Sequence, residues 1–154
     1  MITSAGLLLH RGADEGLEVL IAHMGGPFWS RKDEAAWSIP KGEFDPRAEE
    51  AVNAALREFR EELGVDPPPG PYTELGTWAY SSGKRVTVFA ADGSAFHADG
   101  LTFGTFELEW PPRSGRRQRF PEVDRVEWMP PALARPRLVT GQRPALDALV
   151  ASMR

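Results

Sequence analysis

The chain has 154 residues, of which 42% are hydrophobic and 26% charged, with a formal net charge of −4 and no cysteine. This is the size and balance of one globular domain, expected to span residues 1–154 and to bury a core of ordinary size. The negative balance disfavours generic binding to long nucleic acid. Lack of cysteine excludes a disulfide framework and a thiol nucleophile. No apolar run is long enough for a membrane and no secretory n-region precedes Gly6–Leu9, so the cytoplasm is the expected compartment.

Thr3 to Leu9 is a short apolar run, and Leu17 to His23 alternates. Gly12 to Gly16 between them is turn chemistry, so the pair predicts a β-hairpin. Gly25 to Asp33 reads as a loop whose Phe28 and Trp29 either stack on a base or plug a hydrophobic gap. Trp37 to Ile39 predicts a short strand that delivers the chain to a tight turn at Pro40-Lys41-Gly42, followed by loop. Asp45 as a capping carboxylate and Pro46 at the first helical position predict a helix start, and Gly64 its stop. Within it Val52, Ala55, Leu56, Phe59 and Leu63 recur at three- and four-residue steps, an apolar stripe for the core.

Proline-rich Asp66 to Pro71 cannot continue the helix. Tyr72 to Tyr80 and Arg85 to Ala91 read as strands joined by a turn at Ser81-Ser82-Gly83-Lys84. Asp92 to Leu101 reads as loop, and His97 in it, like His10 and His23 at strand ends, is more readily a structural residue than a catalytic one. Phe103 to Trp110 alternates as a half-buried strand. Pro111 to Arg119 reads as a loop with Arg113, Arg116, Arg117 and Arg119. Arginine forks bind phosphate oxygens in pairs, which makes Arg113, Arg116 and Arg117 a candidate clamp; the alternative is a solvated basic loop. Glu122 to Met129 is the next strand, followed by a helical turn near Ala132–Ala134 and a helix over Gln142 to Met153. Strands before and after one helix, with a second helix at the end, predict an α/β fold with a mixed sheet between helices.

Glu58, Glu61 and Glu62 stand at i, i+3 and i+4 of the first helix, so their carboxylates converge on one side of a single turn. Like charges so placed cost an isolated helix about 0.2–0.5 kcal/mol per pair, which Arg57 and Arg60 offset only in part. The residues alone leave two readings: a solvated acidic face, or a site for a hard divalent cation that shares its shell with water and phosphate.

The run Arg57-Glu58-Phe59-Arg60-Glu61-Glu62-Leu63-Gly64-Val65 resembles the second half of the Nudix hydrolase signature. Pro40-Lys41-Gly42 resembles its opening in many members, and Glu49 occupies the place of its upstream glutamate. There is one departure: six residues separate Gly42 from Glu49, against five in the family, the mark of a one-residue loop insertion. The wider pattern (SAGLLL, GGPFW, WSIPKGE, FPEVDRVEW) is similar to small bacterial Nudix proteins described as predicted nucleoside-triphosphate pyrophosphohydrolases.

The resemblance implies an α/β/α sandwich and hydrolysis of a pyrophosphate linkage in a nucleoside-diphosphate derivative, with Mg²⁺, or Mn²⁺ in its place, as cofactor. It implies Glu58, Glu61, Glu62 and the Gly42 carbonyl as metal ligands, and Arg57 with Glu49 as the pair that holds them in position. Some members take their general base from the helix, others from a loop glutamate before a late strand that ends in tryptophan. Here Glu122, six residues before Trp128, is the first candidate for base or extra ligand and Glu61 the second. Lys41, Arg113, Arg116 and Arg117 are the candidate substrate-binding residues, and the expected partner is a small nucleotide or polyphosphate. Homodimers are common in the family, but no segment here specifies one. The alternative is a Nudix fold kept as a non-catalytic nucleotide sensor, against which the complete Glu58, Glu61 and Glu62 set weighs.

Overall fold

The computed structural model describes residues 2–80 and 83–153. Nine strands and three helices follow in order: β1 Ile2–Arg11, β2 Glu18–Met24, β3 Trp37–Ser38, β4 Lys41–Glu43, α1 Ala51–Leu63, β5 Thr73–Tyr80, β6 Lys84–Asp92, β7 Thr105–Glu109, β8 Arg117–Pro121, β9 Val123–Met129, α2 Pro131–Arg137 and α3 Arg143–Ser152. Of the expected turn between β5 and β6, Ser81 and Ser82 lie outside the described residues.

Seven strands form one mixed sheet in the order β3-β2-β1-β6-β5, with β9 on the far side of β2 and β4 paired to β1. β1 runs parallel to β6 along its length, while its other edge is divided: Ser4–Gly6 pair with β4 and Leu9–Arg11 with β2. The chain crosses from β3 to β4 through Ile39 and Pro40, so β2 and β4 diverge along that edge. The fork between them opens toward α1, which packs on β1 and β4.

Because side chains alternate across a strand, one sheet serves two cores. Val19, Ile21, Val86 and Val88 point to the layer of α2 and α3; Leu7, Leu9, Leu20 and Phe89 point to α1, where Ala55, Phe59 and Leu63 meet them. A fully buried leucine or phenylalanine is worth about 1.5–3 kcal/mol. The expected α/β/α sandwich with a mixed sheet is the observed architecture.

Local boundaries differ from expectation in four places. α1 begins at Ala51, with Glu50 extended as its N-cap, rather than at Asp45–Pro46. Asp45 does cap a turn, but a separate one: its carboxylate accepts from Arg47 N–H at 2.9 Å and its carbonyl from Ala48 and Glu49 N–H. That turn lies in the segment with the extra residue. Lys41–Glu43 is a strand, not loop, because β1 offers it an unpaired edge. Arg117–Pro121 is also a strand, paired to β7. The single turn expected near Ala132–Ala134 is the longer α2. Gly64 closes α1 as expected, at φ 73°.

Two buried polar residues brace the fork. Gln142 accepts from Ile39 N–H at 2.7 Å and donates to Ser38 Oγ at 3.0 Å. His23, fully buried, donates through Nε2 to the Lys32 carbonyl at 2.7 Å and faces Asp124 through Nδ1 at 2.9 Å. Its role is structural. His23→Leu removes the bonds to the Lys32 carbonyl and to Asp124, each worth about 0.5–1.5 kcal/mol net. The expected result is a lower melting temperature by circular dichroism; an unchanged melt would show that these bonds add nothing net.

Candidate active site

The spacing that gives α1 one apolar face also sets its acidic residues over the fork between β2 and β4. Glu43, Glu58, Glu62, Glu122, Lys41, Gly42 and Ser38 line a cavity of about 410 Å³ there, with Met24 and Val123 as its apolar wall. Glycine at position 42 leaves room for the Glu58 carboxylate: a Cβ there would overlap it and force that side chain to move.

Arg57 organises the rim. Its Nε and Nη2 donate to the two Glu49 oxygens at 2.9 and 2.8 Å, a bidentate pair, and its Nη1 donates to Glu58 at 2.9 Å and to Glu61 at 3.3 Å. One guanidinium therefore serves three carboxylates, which raises its own pKa further above the ordinary arginine value, Glu49 being the largest cause. The Glu49 carboxyl is held below the usual range by the same hydrogen bonds. Glu49 reaches Arg57 despite the extra loop residue.

Glu58, Glu62 and Glu122 are displaced the other way. Burial, before any neighbour, pushes Glu62 up to about 8, with Glu122 and Glu58 adding to the rise while Lys41 and its backbone N–H oppose it. Glu58 is raised chiefly by burial, which outweighs its bond to Arg57. Glu122 is raised by burial and by the charge of Glu61. It reaches the cavity because the base of the β7–β8 hairpin is tied to α1 and β2: Gly104 N–H donates to the Glu62 carbonyl at 3.2 Å, Glu122 N–H to the Gly104 carbonyl at 2.7 Å, and Gly25 N–H to the Glu122 carbonyl at 2.9 Å.

The structure thus gathers Lys41, Gly42, Glu58, Glu62 and Glu122 around one cavity, with Arg57 and Glu49 behind Glu58. Glu61 sits apart: its side chain is 57% exposed on the Arg57 rim, and it does not line the cavity. Arg113, Arg116 and Arg117 do not line it either. They belong to the β7–β8 hairpin, where Arg117 is 3.5 Å from Glu107. Met24, Ser38, Glu43 and Val123 are cavity residues that sequence reading missed, since a strand-end residue gives no sign of which gap it will face. Among the described residues, no three His, Asp or Glu side chains converge closely enough to enclose a metal ion unaided.

The oxygen-only donor set, with three carboxyls raised by burial and crowding, fits a hard divalent cation that neutralises them.

Residues 2–149 match the family model of the NUDIX domain. Similar solved structures include the Ap4A hydrolase of C. elegans in a binary complex, with a TM-score of 0.64 at 17% identity over 99% of this chain and 97% of that one. The NUDIX domain of Shewanella oneidensis NrtR complexed with ADP ribose also has a TM-score of 0.64, at 17% identity over 100% and 89% of the two chains. The MutT protein of Methanosarcina mazei Go1 has a TM-score of 0.59, at 18% identity over 98% and 94%. No curated protein sequence matches at a significant level. At these identities the structural likeness carries the fold, and the family model carries the membership: the chain belongs to the Nudix family.

Proposed function

We propose that this protein hydrolyses a pyrophosphate linkage in a nucleoside-diphosphate derivative, a nucleoside triphosphate or dinucleoside polyphosphate by preference, with Mg²⁺ as cofactor. The observation that carries this reading is the convergence of Glu58, Glu62 and Glu122 on one half-buried cavity, backed by an arginine that fixes Glu58 from behind. The names of the structural neighbours, an Ap4A hydrolase and an ADP-ribose complex, agree with a substrate containing such a linkage.

The obstacle to the reaction is charge, because water must approach an anionic phosphorus and the departing phosphate gains negative charge. Bound at Glu58 and Glu62, Mg²⁺ would supply neutralisation of phosphate oxygens and a lowered pKa for a coordinated water. Glu58 and Glu62 hold the site; Arg57, itself clamped by Glu49, fixes the orientation of Glu58. Glu61, on the rim, completes the site once substrate oxygens extend it. Glu122 takes a proton from the attacking water as the water oxygen bonds to phosphorus, while the bond from that phosphorus to the bridging oxygen breaks and the oxygen leaves with the electron pair on the departing phosphate.

Turnover of nucleotides with Mg²⁺, stopped by a chelator, tests the reading as a whole. Glu122→Gln tests the base: kcat is expected to fall about 10²- to 10⁴-fold with little change in KM. A fall of less than about tenfold would transfer that role to Glu61.

A further inference from the structure

The β7–β8 hairpin has two unlike faces. On one, Glu107 stands 3.5 Å from both Arg117 and Arg119. On the other, Phe106, Leu108, Gln118 and Phe120 are half-buried. The loop after β2 lies along this apolar face, with Phe106 packed against Gly26. Farther on, Phe28 meets Trp110 edge to face, ring centres 5.2 Å apart and planes at 79°. Even so, Phe28 remains 54% exposed, more than any other large apolar side chain among the described residues.

This loop is held in place. Trp29 N–H bonds back to the Gly26 carbonyl and Lys32 N–H to the Trp29 carbonyl, while buried His23 holds the Lys32 carbonyl. It also adjoins the reacting end of the molecule. Met24 lines the carboxylate cavity, Gly25 is bonded to Glu122, and Phe28 is four residues past Met24, a reach of at most about 14 Å. Beyond Trp110, the same hairpin carries Arg113 and Arg116, which make no ion pair among the described residues. An exposed aromatic ledge on the loop that leads out of the cavity wall at Met24, beside a hairpin that also carries Arg113 and Arg116, is the kind of surface that a flat ring on an anionic chain fits.

We propose that Phe28, braced edge to face by Trp110, supplies the ring face, the platform on which the nucleobase of the substrate stacks, so that its phosphate chain runs from there to Glu58, Glu62 and Glu122. This rests on the nucleotide-hydrolase reading and adds its specificity-determining residues. Stacking on an aromatic face tolerates any base, so the platform selects nucleotides over base-free polyphosphates more than one base over another.

The test pairs binding with turnover. Affinities of AMP, GMP, CMP and UMP, and of inorganic tripolyphosphate as the base-free probe, are measured by titration calorimetry for the native protein, Phe28→Ala and Phe28→Trp. The expected result is that at least one nucleoside monophosphate binds the native protein, about tenfold or more weakly in Phe28→Ala, and at restored strength in Phe28→Trp, with tripolyphosphate unaffected. Equal nucleotide affinity in native and Phe28→Ala protein, equal losses for nucleotide and tripolyphosphate, or no nucleotide binding by the native protein would overturn the platform. Phe28-dependent binding without turnover would leave the platform standing and remove the hydrolase reading. Turnover with a KM unchanged in Phe28→Ala would do the reverse.

Discussion

Glu62→Gln is expected to abolish Mg²⁺-dependent turnover while leaving the fold intact. The substitution keeps the size of the side chain and removes the charge of the most deeply set carboxylate in the cavity. Charge stabilisation by a bound divalent ion is worth several kcal/mol in the transition state, so kcat falls on the order of 10³-fold. The same change alters metal-free stability in the opposite sense. The Glu62 carboxyl is raised to about 8 in the folded protein, chiefly by burial, above its ordinary value of 4.5. Between these values the folded protein retains a proton that the unfolded chain has lost, so stability falls as pH rises through that window. Glu62→Gln removes that dependence. Thermal melts without divalent ions at pH 5 and pH 8 are expected to show the native protein losing stability more steeply than the variant, with Mg²⁺ restoring the native protein alone. A variant with full activity would remove Glu62 from the metal site.

The second large effect concerns Arg57, which touches no part of the cavity except through Glu58. Arg57→Gln breaks the bidentate bond to Glu49 and the bonds to Glu58 and Glu61 at one stroke. Glu58 and Glu61 are then left as like charges without a shared cation, free to turn away from the cavity. Loss of a group that orients metal ligands costs about 10- to 100-fold in metal affinity or activity. The expected signature is a higher Mg²⁺ requirement together with a lower kcat. Arg57→Lys should recover little, since an ammonium cannot reproduce the planar fork that grips Glu49 while a third nitrogen reaches Glu58. Native Mg²⁺ dependence in Arg57→Gln would return Arg57 to the status of a surface residue.

What could be read from the chain beforehand follows from the range of the forces involved. Helix α1 was legible because its apolar stripe and the stop at Gly64 are local, and the Glu58, Glu61 and Glu62 cluster lies within one helical turn. Its first turn was misplaced because Asp45 and Pro46 form a cap and entry that suit a helix and an isolated turn equally. β4 was missed because Lys41–Glu43 is a strand only by virtue of the open edge of β1, far away in sequence. In β8, the alternation of Arg117 and Arg119 with Gln118 and Phe120 was present, but the arginines hid it behind the look of a basic loop. The inward placement of Glu122 depends on Gly104 and Gly25, which bring the hairpin base, α1 and β2 together; spacing to Trp128 singled out the residue but not its surroundings. The different position of Glu61, on the rim beside Arg57, was likewise beyond a helical-wheel argument, which treats i, i+3 and i+4 alike and knows nothing of what lies above the helix.

Mg²⁺-dependent cleavage of a nucleotide pyrophosphate linkage is the reaction proposed for the cavity of Glu58, Glu62 and Glu122. The most direct measurement is chromatographic analysis of products after incubation with nucleoside triphosphates, dinucleoside polyphosphates, ADP-ribose and other nucleotide sugars, with Mg²⁺ or with a chelator. Native protein and Glu62→Gln are compared side by side. The expected result is Mg²⁺-dependent cleavage of at least one class at its pyrophosphate linkage, lost with the chelator and in the variant. Nucleotide binding with no cleavage of any class, or cleavage that survives both treatments, would contradict it.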